Sequence, residues 1–119
     1  MPYLMPAEWA PQERLWIGCP GDPAEWPAKR EAAQIQTAAF ARAVADHGQP
    51  VTLLARTDQD AASARALASP SSIEVRHESF GDVWLRDTGP IGLLSADGTR
   101  ALVDFDFNGW GGKYEMPGD

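Results

Sequence analysis

The sequence predicts an α/β domain. Three observations carry that reading. Short apolar runs stand at residues 14–19, 51–55 and 73–77. Stretches of helical length and pattern separate them at 28–47 and 58–68, and an Asp-Gly pair at 97–98 lies between two further apolar runs.

The elements follow in order. Residues from about 1 to 12 carry Pro2, Pro6 and Pro11 and read as an irregular lead-in. Arg14–Cys19 is an apolar run closed by Pro20, Gly21 and Asp22, as a buried strand would be. Past Pro27, Ala32, Ile35, Ala39 and Ala43 recur at helical spacing, with Ala33, Phe40 and Val44 alongside. This predicts an amphipathic helix over 28–47 with that stripe as its apolar face, stopped by Gly48 and Pro50. Val51–Ala55 is the next strand, and Thr57 or Asp58 can cap a helix over 58–68 that ends before Pro70. Ile73–His77 alternates apolar with polar residues, the pattern of a half-buried strand. Ile91–Leu94 and Ala101–Phe105 flank Ala96-Asp97-Gly98 and predict a hairpin. Residues 106–119 have neither periodicity nor a terminator, as expected of a chain that stops inside a larger fold.

Composition narrows the function classes. The chain has 119 residues, 44% of them hydrophobic and 23% charged, which fits one soluble domain with a modest core. Its net charge of −7, with no cluster of Lys and Arg, argues against a nucleic-acid partner. The apolar runs are too short to span a membrane, and Met1-Pro2-Tyr3-Leu4 does not begin a signal peptide, so a cytoplasmic setting is expected. A single cysteine, Cys19, and two histidines cannot build a disulfide or a zinc site, and no metal is expected. Trp9, Trp16 and Trp26 bunch early, whereas Trp84 and Trp110 lie late among most of the glycines. Gly beside Trp and Asp suggests backbone fitted closely around something other than a packed core.

The densest chemistry lies in Phe80-Gly81-Asp82-Val83-Trp84-Leu85-Arg86-Asp87-Thr88-Gly89-Pro90. Asp82, Trp84 and Arg86 alternate, so in extended chain they share a face, and a bend before Pro90 turns Asp87 toward it. An indole beside a carboxylate suits a flat cation: the ring stacks and the acid makes a bidentate salt link. Guanidinium is the natural fit. The same residues also suit a core tryptophan and an aspartate capping the turn before Gly89-Pro90, and the residues alone leave both open. In Phe107-Asn108-Gly109-Trp110-Gly111-Gly112-Lys113-Tyr114, Gly109, Gly111 and Gly112 permit left-handed backbone beside Trp110, though a plain surface loop would read alike. The spacing of a phosphate loop is absent there. His47 fits a helix C-terminus, His77 an exposed strand position, and Cys19 a buried structural thiol. The residues describe a cation-binding corner without an evident nucleophile.

Met5-Pro6-Ala7-Glu8-Trp9-Ala10-Pro11, the stretch Asp82–Pro90 and the stretch Phe107–Tyr114 together resemble the agmatine deiminase and bacterial peptidyl-arginine deiminase family, in its order and near its spacing. The resemblance implies the guanidino-group-modifying, pentein-like fold, a five-bladed α/β propeller. Residues 1–119 would then be a single, incomplete deiminase domain, contributing the first blade and the start of the next. It implies conversion of agmatine to N-carbamoylputrescine and ammonia without metal or organic cofactor. In that chemistry a cysteine thiolate attacks the guanidinium carbon, a histidine protonates the departing ammonia, and water releases the covalent intermediate. Carried over, Trp84 matches the aromatic on the guanidinium, and Asp87 the first guanidinium-binding acid, a catalytic residue. Asp82 and Arg86 organise the loop; Trp110, Gly111 and Gly112 match a special loop near the site. The family's histidine, second acid and cysteine match nothing here: His47, His77 and Cys19 stand elsewhere. The chain by itself is therefore expected to be inactive, and its exposed blade interfaces to self-associate as a homo-oligomer. A pI near 4.7 suits a small cationic partner such as agmatine. Two alternatives are a non-catalytic guanidinium-binding or interaction module and a remnant without function.

Overall fold

The computed structural model describes residues 2–116 and Gly118. In chain order the elements are β1 (Tyr3–Leu4), β2 (Leu15–Gly18), α1 (Arg30–Asp46), β3 (Val51–Ala55), α2 (Asp58–Ala68), β4 (Glu74–His77), α3 (Leu85–Thr88), β5 (Ile91–Ser95) and β6 (Arg100–Val103). A last short turn covers Gly109–Gly112. The chain is α/β, as its apolar pattern predicts.

Strands β2, β3 and β4 form a parallel sheet in that order, with Ile17 opposite Leu53 and Leu53 opposite Val75. Parallel neighbours need crossovers, and α1 and α2 supply them, packed against each other on one face. There Val51 and Leu53 meet Ala41, Ala64, Ala68 and Cys19, and this is the core. Small alanines let the two helices lie close to the sheet.

The stripe expected to be the buried face of α1 is not buried. Ile35 and Phe40 are exposed, as are Ala32, Ala39 and Ala43, and the helix buries Ala38 and Ala41 instead. Two apolar faces compete on this alanine-rich helix, and contact with α2 selects the one with the smaller side chains. The cap of α2 is Thr57, not Asp58. Its hydroxyl oxygen accepts the Asp60 N–H at 3.0 Å and donates to Asp60 Oδ2 at 2.9 Å. The hydroxyl thus satisfies one of the free N–H groups of the first turn while pinning the Asp60 carboxylate. Buried Asp60 also accepts from Gln34 Nε2 at 3.0 Å, tying α1 to α2.

Strands β1, β5 and β6 form a separate antiparallel sheet with β5 at its centre. The lead-in expected to be irregular thus contributes one short strand, with Tyr3 opposite Ser95 and Leu4 opposite Leu94. The hairpin turns at Asp97-Gly98, where Gly98 has φ +84 and its N–H donates to the Ser95 carbonyl at 3.0 Å. Strand β6 ends at Val103, leaving Phe105 exposed beyond it rather than inside the strand. Leu4, Leu94 and Leu102 lie on one exposed face of this sheet.

The two sheets are linked by the segment that carries the candidate site. At the carboxyl end of β2, a Cβ on Gly18 would stand 3.1 Å from Val83 Cα and 3.3 Å from the Phe80 ring. The missing side chain lets residues 80–85 lie across that strand end with Phe80 buried. No helix of the described residues is long and apolar enough to cross a membrane.

Candidate functional site

Trp84 precedes α3, and its carbonyl accepts the Asp87 N–H at 2.8 Å and the Thr88 N–H at 3.2 Å. A helical turn, not extended chain, therefore makes neighbours of Trp84 and Asp87, three residues apart. The alternation expected to align Asp82, Trp84 and Arg86 does not survive this turn. Gly89 ends it: a Cβ there would lie 2.6 Å from the Leu85 carbonyl oxygen, and Pro90 follows.

Trp84 is 55% exposed, so it is not a core residue, and Asp87 is exposed beside it. Nor does Asp87 cap the turn. Its Oδ2 accepts the indole Nε1–H of Trp110 at 2.9 Å, across 23 residues of sequence. Among the described residues no second donor reaches that carboxylate. Arg86 points elsewhere, into an ion pair with Glu8 of the lead-in. Asp82 Oδ1 accepts the Val83 N–H at 2.6 Å and shapes the loop that leads into α3. Asp82 also lies near Glu25, whose carboxyl is held above its ordinary range by burial and by the charges of Asp82 and Asp22, opposed by Arg56.

Trp110 reaches Asp87 from an unusual turn. Gly109, Trp110, Gly111 and Gly112 have φ of +64, +57, +79 and +80, so four consecutive residues are left-handed. Glycine adopts this freely, whereas a tryptophan does so at a cost of about 1–2 kcal/mol. Asn108 closes the turn, its Oδ1 accepting the Gly111 N–H at 2.8 Å and its carbonyl the Gly112 N–H at 2.7 Å. Phe107 and Tyr114 stand edge-on to the indole, with ring centroids at 4.9 and 5.9 Å. The three stretches singled out in the sequence thus touch: the first meets the second through Glu8–Arg86, the second the third through Asp87–Trp110.

The other titratable candidates lie apart from this corner. His77 contacts Asp58 Oδ1 at 2.8 Å and the Arg56 carbonyl at 2.9 Å, and His47 contacts the Ala43 carbonyl at 2.7 Å. Cys19 is buried in the helix-covered core, where burial first and the charge of Asp60 second push its thiol up to about 11. At pH 8 the folded chain is expected to react with a disulfide thiol reagent at least about 100-fold more slowly than the chain in urea. Equal rates would show an accessible thiolate and overturn that account. An open cleft of about 650 Å³ at the carboxyl ends of β2 and β3 is lined by Arg30, Arg56, Asp60 and Phe80, and neither Trp84 nor Asp87 borders it.

The profile of the Porphyromonas-type peptidyl-arginine deiminase family matches residues 4–119. Over 111 residues the chain is 42% identical to an agmatine deiminase of Stutzerimonas stutzeri, covering 93% of this chain and 30% of that protein. It is 40% identical over 110 residues to one from Pseudomonas aeruginosa, covering 92% and 29%. Among solved structures, an agmatine deiminase of Enterococcus faecalis superposes with a TM-score of 0.79 at 30% identity, over 92% of this chain and 29% of the other. One from C. jejuni gives 0.77 at 25% identity, over 90% and 32%. The chain spans about 30% of the length of the curated relatives it matches.

Proposed function

Because the chain belongs to the Porphyromonas-type peptidyl-arginine deiminase family, we propose that it carries the guanidinium-gripping part of an agmatine deiminase site. Trp84 stacks on the guanidinium plane and Asp87 pairs with its nitrogens, keeping the group cationic and oriented. In the complete reaction a cysteine thiolate adds to the guanidinium carbon, ammonia leaves, and water releases N-carbamoylputrescine from the covalent intermediate. The described residues supply the grip but no thiolate to use it, since Cys19 is buried in the core beneath the helices and its thiol is pushed up to about 11. We therefore expect this chain to bind agmatine without turning it over. Within that reading, residues 1–119 are an incomplete deiminase domain, the first blade and the start of the second of a five-bladed propeller, acting in the cytoplasm on a route to putrescine.

The observation that carries the proposal is the exposed Asp87 carboxylate, held one helical turn from an exposed indole. Titrating agmatine while following tryptophan fluorescence tests it. Saturable quenching that Asp87→Asn weakens by about 10-fold or more supports the grip, in line with the strength of charge-assisted bonds. Absence of saturation, or no effect of the substitution, overturns it. Ammonia release above background from the same mixture would overturn the expectation of binding without turnover.

A further inference from the structure

We propose that Trp110 is the positioning residue of this corner: its indole N–H holds one oxygen of Asp87, so the carboxylate presents a fixed plane to the cation. The inference rests on the reading of Trp84 and Asp87 as a guanidinium grip and deepens it.

Asp87 sits on a single helical turn and is exposed, so its carboxylate would otherwise swing about two side-chain torsions. A swinging carboxylate attracts any cation. A carboxylate fixed in plane and distance favours one whose donors lie in a flat fork, and that is how guanidinium differs from ammonium. The indole is the only donor to Asp87 among the described residues, and it is itself immobilised. Phe107 and Tyr114 stand at its edges, and the left-handed turn is closed by two hydrogen bonds that Asn108 accepts from the Gly111 and Gly112 N–H groups. A tryptophan at φ +57 and ψ +52 is strained, and such outliers persist where surrounding structure over-determines them, often at ligand-binding sites. Right-handed backbone at residue 110 would send the ring elsewhere. Because the indole donor draws on the same charge that attracts the substrate, its contribution is discrimination rather than attraction. Preorganisation of this kind acts through geometry already in place before binding.

The test is calorimetric titration of the full chain with agmatine and with 1,4-diaminobutane, which has an ammonium in place of the guanidinium. Trp110→Phe keeps an aromatic ring and removes the donor. The preference for agmatine over the diamine is expected to fall by about 5-fold or more, while diamine binding is kept or strengthened. An unchanged preference, with agmatine binding still dependent on Asp87, overturns the positioning role and leaves the grip intact. Agmatine binding that is absent, or indifferent to Asp87→Asn, overturns the grip and with it the role of Trp110. Should Trp110→Phe fail to fold, exchanging the indole for its benzothiophene isostere removes only the N–H and decides the same question. A structural role is separated by the ¹H–¹⁵N resonance of the Trp110 indole, which is expected to move in Asp87→Asn and on adding agmatine. A resonance that ignores both overturns the contact itself.

Discussion

Replacing Leu53 by alanine is expected to lower the unfolding free energy by about 3–5 kcal/mol, enough to leave much of the chain unfolded at 37 °C. Leu53 is the largest fully buried side chain, at 0% exposure in the central strand of the parallel sheet. Ala41, Ala64 and Ala68 of the helices pack in the same core, with Ile17 and Val75 on the flanking strands. The alanines have no side chain to swing into the vacated space, whereas the strand neighbours are held by the sheet, so a residual cavity is expected to remain. Urea titration followed by far-ultraviolet circular dichroism measures the effect. Ile35→Ala is the control: it deletes a comparable side chain from the exposed face of α1 and is expected to change stability by less than about 0.5 kcal/mol. Equal effects at the two positions would mean that the stripe facing outward here is packed in solution, and would support the self-association expected of exposed blade interfaces.

That contrast marks where the sequence is legible. The existence of α1 follows from its alanine-rich helical period and from Gly48 and Pro50 behind it. Which face turns inward does not, because Ile35 and Phe40 compete with Ala38 and Ala41, and only the neighbouring α2 decides. The hairpin at Asp97-Gly98 is legible because φ +84 at Gly98 is what that dipeptide supplies cheaply. The short strand β1 is not, since its two residues are defined only by pairing with β5, about ninety positions away. At the candidate site, the proximity of Trp84 and Asp87 is local and readable from their spacing, although the turn is helical rather than extended. The bond from Trp110 to Asp87 is non-local. Its only sequence trace is the glycine on either side of a tryptophan, which permits left-handed backbone without indicating where the indole points.

Gly109→Ala is expected to be the most damaging small substitution at the site. A Cβ at Gly109 would stand only 1.9 Å from the Tyr114 carbonyl oxygen, and the residue already sits at φ +64. Neither atom can yield without opening the turn, because the Tyr114 N–H is bonded back to the Gly109 carbonyl at 3.2 Å. The turn must therefore unwind, and the Trp110 indole leaves Asp87. Gly111→Ala makes the same chemical change at φ +79 with nothing within 4 Å of the new Cβ. It bears only the left-handed penalty of about 1–2 kcal/mol, and the turn survives in most molecules if its closing bonds exceed that cost. Gly109 is buried and Gly111 exposed, but their loop contributes no residue to the core under α1 and α2, so neither substitution is expected to shift the thermal midpoint of that core by more than a few degrees. The expected separation lies in binding: Gly109→Ala loses preference for agmatine over 1,4-diaminobutane at least as fully as Trp110→Phe, and Gly111→Ala loses much less. A Gly109→Ala chain that kept the full preference would show that the left-handed turn is not what places the indole. A Gly111→Ala chain as impaired as Gly109→Ala would show that backbone handedness alone, rather than the close approach at Gly109, governs the loop.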